Sequence, residues 1–358
     1  MSDDIAVVLG TRPEIIKLGP VVRELGRRAR VIHTGQHWDD TMSGQHLREQ
    51  GLPERIEHLT GIGGDPRVVQ IAAGIGQLAM AFQERRPRAI IVQGDTNSTS
   101  IGAQTGNYLG IPVIHVEAGL RSRDRDMPEE INRLVVGAVA DIHCAATPHN
   151  AANLLSEGVD ADRIEITGNT VVEATHRALQ QSAPQIDLQT DGPFILATIH
   201  RPENTDDPAA LLRILRALTQ LPLPAVFVAH PRTIAAALRF ELSDWLNGVD
   251  LLESVSHTQF LHLAQRASLV VSDSGGIQEE VTVLKKPLLV VRKSTERPES
   301  IHSGFAVLVK PDESIEAAAH RMLGNPDLLT RLQETPSPYG DGAAGRRIAE
   351  LARRLAAG

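Results

Sequence analysis

Acidic residues fall at the ends of short apolar runs in the first half of the chain. Asp95 follows a strand-like run in "VQGDTNST", Glu117 sits at the end of the next in "IHVEAGLRS", and Glu129 and Glu130 follow a proline in "DRDMPEEINR". A carboxylate at a buried strand end is costly unless it is paired or put to work. Acids at consecutive strand tips fit acid–base catalysis. By composition alone they fit structural ion pairs with Arg121, Arg123 or Arg133, and that is the commoner outcome. A second signal is "VVSDSGGIQEEV", an apolar run ending in Asp-Ser-Gly-Gly and opening a helix. Small residues there let backbone N–H groups approach a phosphate, and the helix N-terminus adds positive potential. Ser274 can donate a hydroxyl, and Glu279 or Glu280, one turn in, suits ribose hydroxyls. A plain glycine turn with a serine cap fits the same letters.

The tripeptide Arg-Pro-Glu occurs at residues 12–14, 201–203 and 297–299, each time after an apolar run. Proline suits the first turn of a helix, and glutamate after it suits the positive end of the dipole. Arg12, Arg201 and Arg297 then stand where the chain leaves a sheet, the rim where open α/β sheets bind ligands. Three copies point to arginines facing an anion; capping with a solvated arginine is the plainer reading of any one copy. His200 at a strand tip suits a phosphate contact or proton transfer, and Gln36 and His37 lie at another tip in "TGQHWDD".

The elements that must position these residues alternate in type. Strands are expected at 5–9, 29–33, 89–93, 113–116, 142–145 and 163–167, then at 194–199, 225–229, 249–252, 269–272 and 288–291. Amphipathic helices lie between them, as at 68–84, 131–140 and 209–218. This order predicts parallel sheets with helices on both faces, built twice. The polar stretch Gln181–Pro193 reads as the linker. Two Rossmann-like domains are expected, 1–180 and 181–343, with a cleft between them. The first is completed by a basic amphipathic helix at 344–358.

Bulk properties narrow the partners. A net charge of −8 and 3% aromatic residues argue against nucleic acid. The single Cys144 excludes a disulfide within the chain and reads as a buried thiol. No apolar run reaches membrane-spanning length, and the acidic N-terminus does not read as a signal peptide. A cytoplasmic protein is expected. None of the 14 histidines falls in a recognised ligand spacing, so no essential metal is expected. "GTRPE" stands where a dinucleotide fingerprint would follow the first strand, so no nicotinamide is expected.

"GTRPEIIK", "TGQH", "GDTNST", "HVEAGLRS", "MPEEINR", "ITGNTVVEA", "HRPEN" and "DSGGIQEE…TERPE" occur in this order from residue 10 to residue 299. Together they resemble the non-hydrolysing UDP-N-acetylglucosamine 2-epimerases. The resemblance implies a GT-B arrangement of the two domains with a UDP-sugar in the cleft, and an isomerase needing neither metal nor cofactor. It implies that Asp95, Glu117 and Glu129 are the acid/base carboxylates, and that Lys17 and His200 are also needed for activity. Arg12, Ser274, Gly275 and Gly276 match the UDP phosphate contacts, Glu280 the ribose contact, and Arg201 and Arg297 further substrate contacts. Gln36, His37 and Arg201 match the region where many members bind a second UDP-GlcNAc as activator; a homodimer is expected. The family usually has a Pro and a Tyr ahead of the Phe bordering the uracil. "SVSHTQF" offers Ser254, His257 and Phe260 instead. The segment 115–133 is similar to a branch containing epimerases of UDP-diacetamido-uronic acids. A GT-B glycosyltransferase and a hydrolysing epimerase are the alternatives.

Overall fold

The computed structural model describes residues 3–36, 52, 56–253 and 255–357. His37 and Ser254 lie outside the described residues. The chain divides into two compact units, residues 1–174 with 339–358, and residues 175–338. The helix Val171–Gln180 carries the chain from the first unit into the second.

In the first unit the strands are β1 (Ile5–Leu9), β2 (Ala29–His33), β3 (Glu57–His58), β4 (Ala89–Gln93), β5 (Val113–Ala118), β6 (Ile142–Ala145) and β7 (Ile164–Ile166). They form one parallel sheet ordered β3-β2-β1-β4-β5-β6-β7. All five residues of β1 are buried, as a strand covered by helices on both faces requires. Ile5, Val7 and Leu9 face the Arg12–Leu25 and Ala344–Ala357 helices, while Ala6 and Val8 belong to the core under Leu78, Phe82 and Ile101. The last helix seals its face with Ile348, Ala349 and Ala352. Ala344 and Gly345 reach back to the first unit's own chain, where the Gly345 amide donates to Glu173 at 2.6 Å.

The second unit repeats the pattern with β8 (Ile195–Thr198), β9 (Ala225–Val228), β10 (Asp250–Leu252), β11 (Leu269–Ser272), β12 (Leu288–Val291) and β13 (Ala306–Val309). Its parallel order is β10-β9-β8-β11-β12-β13. The strand order therefore reverses once in each parallel sheet, between β1 and β4 and between β8 and β11. Those switch points open a crevice at the strand ends, where ligands bind in such folds.

Two strands, β3 and β13, lie outside the sequence expectation. β3 is two polar residues long, and β13 is an edge strand with Val307 41% exposed, so neither carries a strong buried pattern. The three Arg-Pro-Glu copies all open helices, at Arg12–Leu25, Pro202–Thr205 and Pro298–His302. Among the described residues no helix is long and apolar enough to cross a membrane. Nor do three His, Cys, Asp or Glu side chains gather as a metal site.

Burial leaves several histidines uncharged. It lowers His33, His115 and His143 from 6.5 to about 4, 3 and 4, and His200 is lowered for the same reason. The unfolded chain therefore takes up these protons first as pH falls, and stability is lost from pH 6.5 toward 4. Glu14, raised by burial from 4.5 to about 7, acts in the opposite sense between those values, and Glu173, also raised, joins it. The histidines outnumber the glutamates, so the thermal midpoint is expected to rise from pH 4.5 to pH 6.5. A midpoint that is flat or falls over that interval, measured by calorimetry, would contradict this balance.

Candidate active site

The first unit gathers its acids along one sheet edge. Glu14 is 1% exposed and accepts the Gly10 amide and the Thr11 hydroxyl, each at 2.9 Å. Thr96 and Thr99, just after β4, donate to its other oxygen at 2.7 and 3.2 Å. This glutamate of the first Arg-Pro-Glu thus ties the loop after β1 to the loop after β4, across the switch point. Gly10 is required here, because a Cβ would lie 2.1 Å from both the Thr34 and Ser98 hydroxyls. Those hydroxyls are 2.7 Å apart, and the Gln36 side chain accepts from the Ser98 amide and hydroxyl, each at 3.0 Å.

Glu117, the penultimate residue of β5, sits at a bulge and has φ +62°. A non-glycine residue in this left-handed region costs on the order of 1–3 kcal/mol and persists where surrounding contacts impose it. The contacts are Lys17 Nζ at 2.6 Å and Gln93 Nε2 at 2.7 Å, both on Oε2. Lys17 and Glu117 are each 7% exposed. A buried ion pair of this kind gains little net stability but is expensive to break on one side only.

Asp95 is half-buried and receives Arg133 through Nε at 2.9 Å and Nη2 at 2.5 Å. Arg133 also donates to Glu130 at 2.8 Å. Glu130, 2% exposed, further accepts the Ser122 and Arg123 amides at 2.9 and 3.0 Å. Burial pushes the Glu130 carboxyl up, but these donors outweigh it and hold it below the usual range. Glu130 is thus the brace of the 120–123 loop. Its neighbour Glu129 is exposed on the first turn of the Pro128–Val139 helix. His115 Nε2 donates to the Gly94 carbonyl at 2.8 Å, fixing the turn before Asp95.

In the second unit Asp273, fully buried, plays the part Glu14 plays in the first. It accepts the His200 amide at 3.1 Å, the Arg201 amide at 2.8 Å and Asn204 Nδ2 at 3.0 Å. The loop after β11 is thereby tied to the loop after β8, again across the switch point. The His200 ring stays half-buried, with Nδ1 3.4 Å from Asp273. Ser274 caps the Gly275–Leu284 helix by position, without a side-chain capping bond.

Arg297 is 7% exposed and is clamped by Glu279 at 2.7 Å and Glu296 at 2.9 Å. Its guanidinium lies against Gly275, where a Cβ would stand 2.6 Å from Nη1, whereas nothing lies within 4 Å of a Cβ on Gly276. Glu280 is buried against His257 Nε2 at 2.7 Å, and Phe260 is part of the core. Arg12 and Arg201 are half-buried, at the starts of their helices.

So Lys17, Gln93 and Glu117 meet, and Asp95 follows Gln93 along the same edge. His200 and Arg201 meet Asp273, and Gly275, two residues on, lies against Arg297. The bracing roles of Glu14, Gln93 and Asp273 were not singled out by the sequence, whereas Arg133 was expected as an ion-pair partner of the acids and pairs with Asp95 and Glu130. The repeated Arg-Pro-Glu and Glu-Glu pairs were the available signals.

Comparison with known proteins adds a family to this geometry. The model of the UDP-N-acetylglucosamine 2-epimerase family matches residues 23–353. The UDP-N-acetylglucosamine 2-epimerase of Methanocaldococcus jannaschii is 34% identical, over 97% of this chain and 98% of its own. Its crystal structure in complex with UDP-GlcNAc and UDP superposes with a TM-score of 0.86 at 33% identity, covering 97% of this chain and 99% of that one. The UDP-2,3-diacetamido-2,3-dideoxy-D-glucuronate 2-epimerase of Pseudomonas aeruginosa is also 34% identical, over 98% of this chain and 99% of its own. A kitacinnamycin glycotransferase, 17% identical with a TM-score of 0.63 over 98% of each chain, shares the fold. Two Rossmann-like units of GT-B type, switch-point carboxylates and a family match across nearly the whole chain agree: this chain belongs to the UDP-N-acetylglucosamine 2-epimerase family of isomerases.

Proposed function

We propose that this enzyme interconverts UDP-GlcNAc and UDP-ManNAc by elimination and re-addition of UDP. The observation that carries the reading is Glu117, a buried carboxylate held in a strained conformation by Lys17 at 2.6 Å. The C2 hydrogen of the sugar is not acidic. Loosening the C1–O bond first builds positive charge at C1, and UDP leaves with the bonding electrons. A carboxylate then takes the C2 proton, giving a glycal. UDP adds back to C1 while a proton reaches the other face of C2. Glu117, Asp95 and Glu129 are the acid–base groups of this scheme. Lys17 pairs with Glu117 at 2.6 Å.

The second unit takes the nucleotide. Ser274, Gly275 and Gly276 present a helix N-terminus to the diphosphate, with Arg297, Arg201 and His200 balancing the charge of departing UDP. Glu280 suits the ribose, and Phe260 borders the uracil end from within the core. The reading carries with it a homodimer in the cytoplasm and a second UDP-GlcNAc acting near Gln36. A uronic-acid substrate is the second reading, because the Pseudomonas relative matches this chain as closely as the first-named one does.

Incubation with UDP-GlcNAc, and separately with the UDP-diacetamido-uronate, followed by NMR, tests the substrate. A UDP-GlcNAc and UDP-ManNAc mixture is expected. Turnover of the uronate alone would replace the first substrate by the second, and turnover of neither would overturn the reading.

Asp95→Asn, Glu117→Gln and Glu129→Gln are each expected to lose about 10²–10⁴-fold in kcat. Glu129→Gln should leave the thermal midpoint untouched, since the residue is exposed. Glu117→Gln should lower it, since Lys17 loses its buried partner. Near-wild-type turnover in all three variants would make these acids purely structural.

The two glycines separate packing from ligand contact. Gly275→Ala drives a methyl into Arg297 and should destabilise the unit. Gly276→Ala meets open space, so stability is expected to hold or rise slightly. UDP binding by calorimetry should nevertheless weaken about tenfold or more, roughly 1.4 kcal/mol. An unchanged Kd for Gly276→Ala would move the phosphate elsewhere.

A further inference from the structure

We infer that Gln93 is a positioning residue for Glu117, the neutral half of a two-donor clamp that holds this carboxylate ionised and in its strained conformation; this rests on the epimerase reading above. Gln93 is the last residue of β4 and is 4% exposed. Its backbone pairs in register with Val116 on β5, the residue before Glu117. Its carbonyl accepts the Thr99 hydroxyl at 2.6 Å, which pins the strand end. Its side-chain amide then has one short reach, and it donates to Glu117 Oε2 at 2.7 Å. Lys17 donates to the same oxygen at 2.6 Å from the Arg12–Leu25 helix.

The residue type suits the task. A carboxylate accepting two short donors inside the protein is stabilised in its charged form. One donor, Lys17, supplies the charge. A second cation would leave a net positive charge in a buried place, and an acid would repel Glu117. An amide gives a donor that has no proton to lose near neutral pH. It also resists the relaxation of Glu117 toward an ordinary strand conformation, since φ +62° persists only while contacts impose it.

Other titratable groups on the flanking elements are already committed. Glu14, on the same helix as Lys17, is bound to Thr11, Thr96 and Thr99. Asp95, beyond β4, is paired with Arg133. His115 and His143, on β5 and β6, are held neutral above about pH 4 by burial. None of these replaces the amide at Oε2.

The test uses the full-length protein with Gln93→Met, which keeps length and apolar volume but removes the donor, and Gln93→Glu, which keeps shape. The ¹³C signal of the Glu117 carboxyl, assigned by its loss in Glu117→Gln, is followed through a pH titration. Gln93→Met is expected to move its midpoint upward by about one unit. The acid limb of the kcat profile should move with it, kcat should fall about tenfold to a hundredfold, and KM should change less than about twofold. Gln93→Glu should be nearly inactive at pH 8 and partly recover as pH is lowered and one carboxyl of the pair is protonated. A Glu117 titration that is the same in wild type and Gln93→Met would overturn the inference, whatever the activity. If neither variant folds by circular dichroism, Gln93 is a packing residue and the inference is wrong. If wild type epimerises no UDP-sugar while the titration still shifts, the functional reading has failed and the clamp stands.

Discussion

A carboxylate buried near the end of a parallel strand must find hydrogen-bond donors, and here several of those donors come from a neighbouring strand's loop. That requirement organises both units. Glu14 draws Thr96 and Thr99 toward the loop after β1. Asp273 draws the His200 and Arg201 amides toward the loop after β11. Glu130 draws in Ser122, Arg123 and Arg133, and Arg133 in turn holds Asp95. An unmet buried carboxylate costs several kcal/mol, far more than the few tenths at stake in surface pairs. The loops are therefore set by their acids rather than by their own propensities, and the residues proposed to do chemistry inherit that rigidity.

The same constraint separates Glu117, the proposed acid–base group, from the bracing acids. Glu14 and Glu130 each accept several donors and are 1–2% exposed, so neither has room to trade a proton with a ligand. Glu117 is different. Its backbone is held where a glutamate rarely sits, and its carboxylate meets Lys17. Strain of that kind is kept where a side chain must point in one direction. Gly275 shows the counterpart in the second unit: only a residue without Cβ lets the Arg297 guanidinium lie against the first turn of the helix.

Much of this was legible in the sequence. Runs such as Ile5–Leu9 and Leu269–Ser272 are apolar on both faces and could only be central parallel strands. The three prolines of Arg-Pro-Glu mark three helix starts because proline costs nothing there. The edge strands β3 and β13 were not legible, one being too short and the other half-exposed. Nor was the extension of β5 through Glu117, since a bulge with positive φ at a glutamate leaves no pattern in the letters. Glu129 and Glu130 look alike as neighbours; only the folded chain, by placing Ser122, Arg123 and Arg133 around one of them, tells them apart. Glu14 of the first repeat looked like a dipole partner and proved to be a loop fastener, and Glu203 of the second lies 3.4 Å from Arg292.

The central claim is that a protein carboxylate removes the C2 proton and a new proton arrives on the opposite face. Running the reaction in D₂O tests it directly. The UDP-linked epimer should carry deuterium at C2, recovered substrate should gain it as equilibrium is approached, and long incubation should release some UDP and free glycal. An epimerised UDP-sugar that retains its original C2 hydrogen would contradict the account.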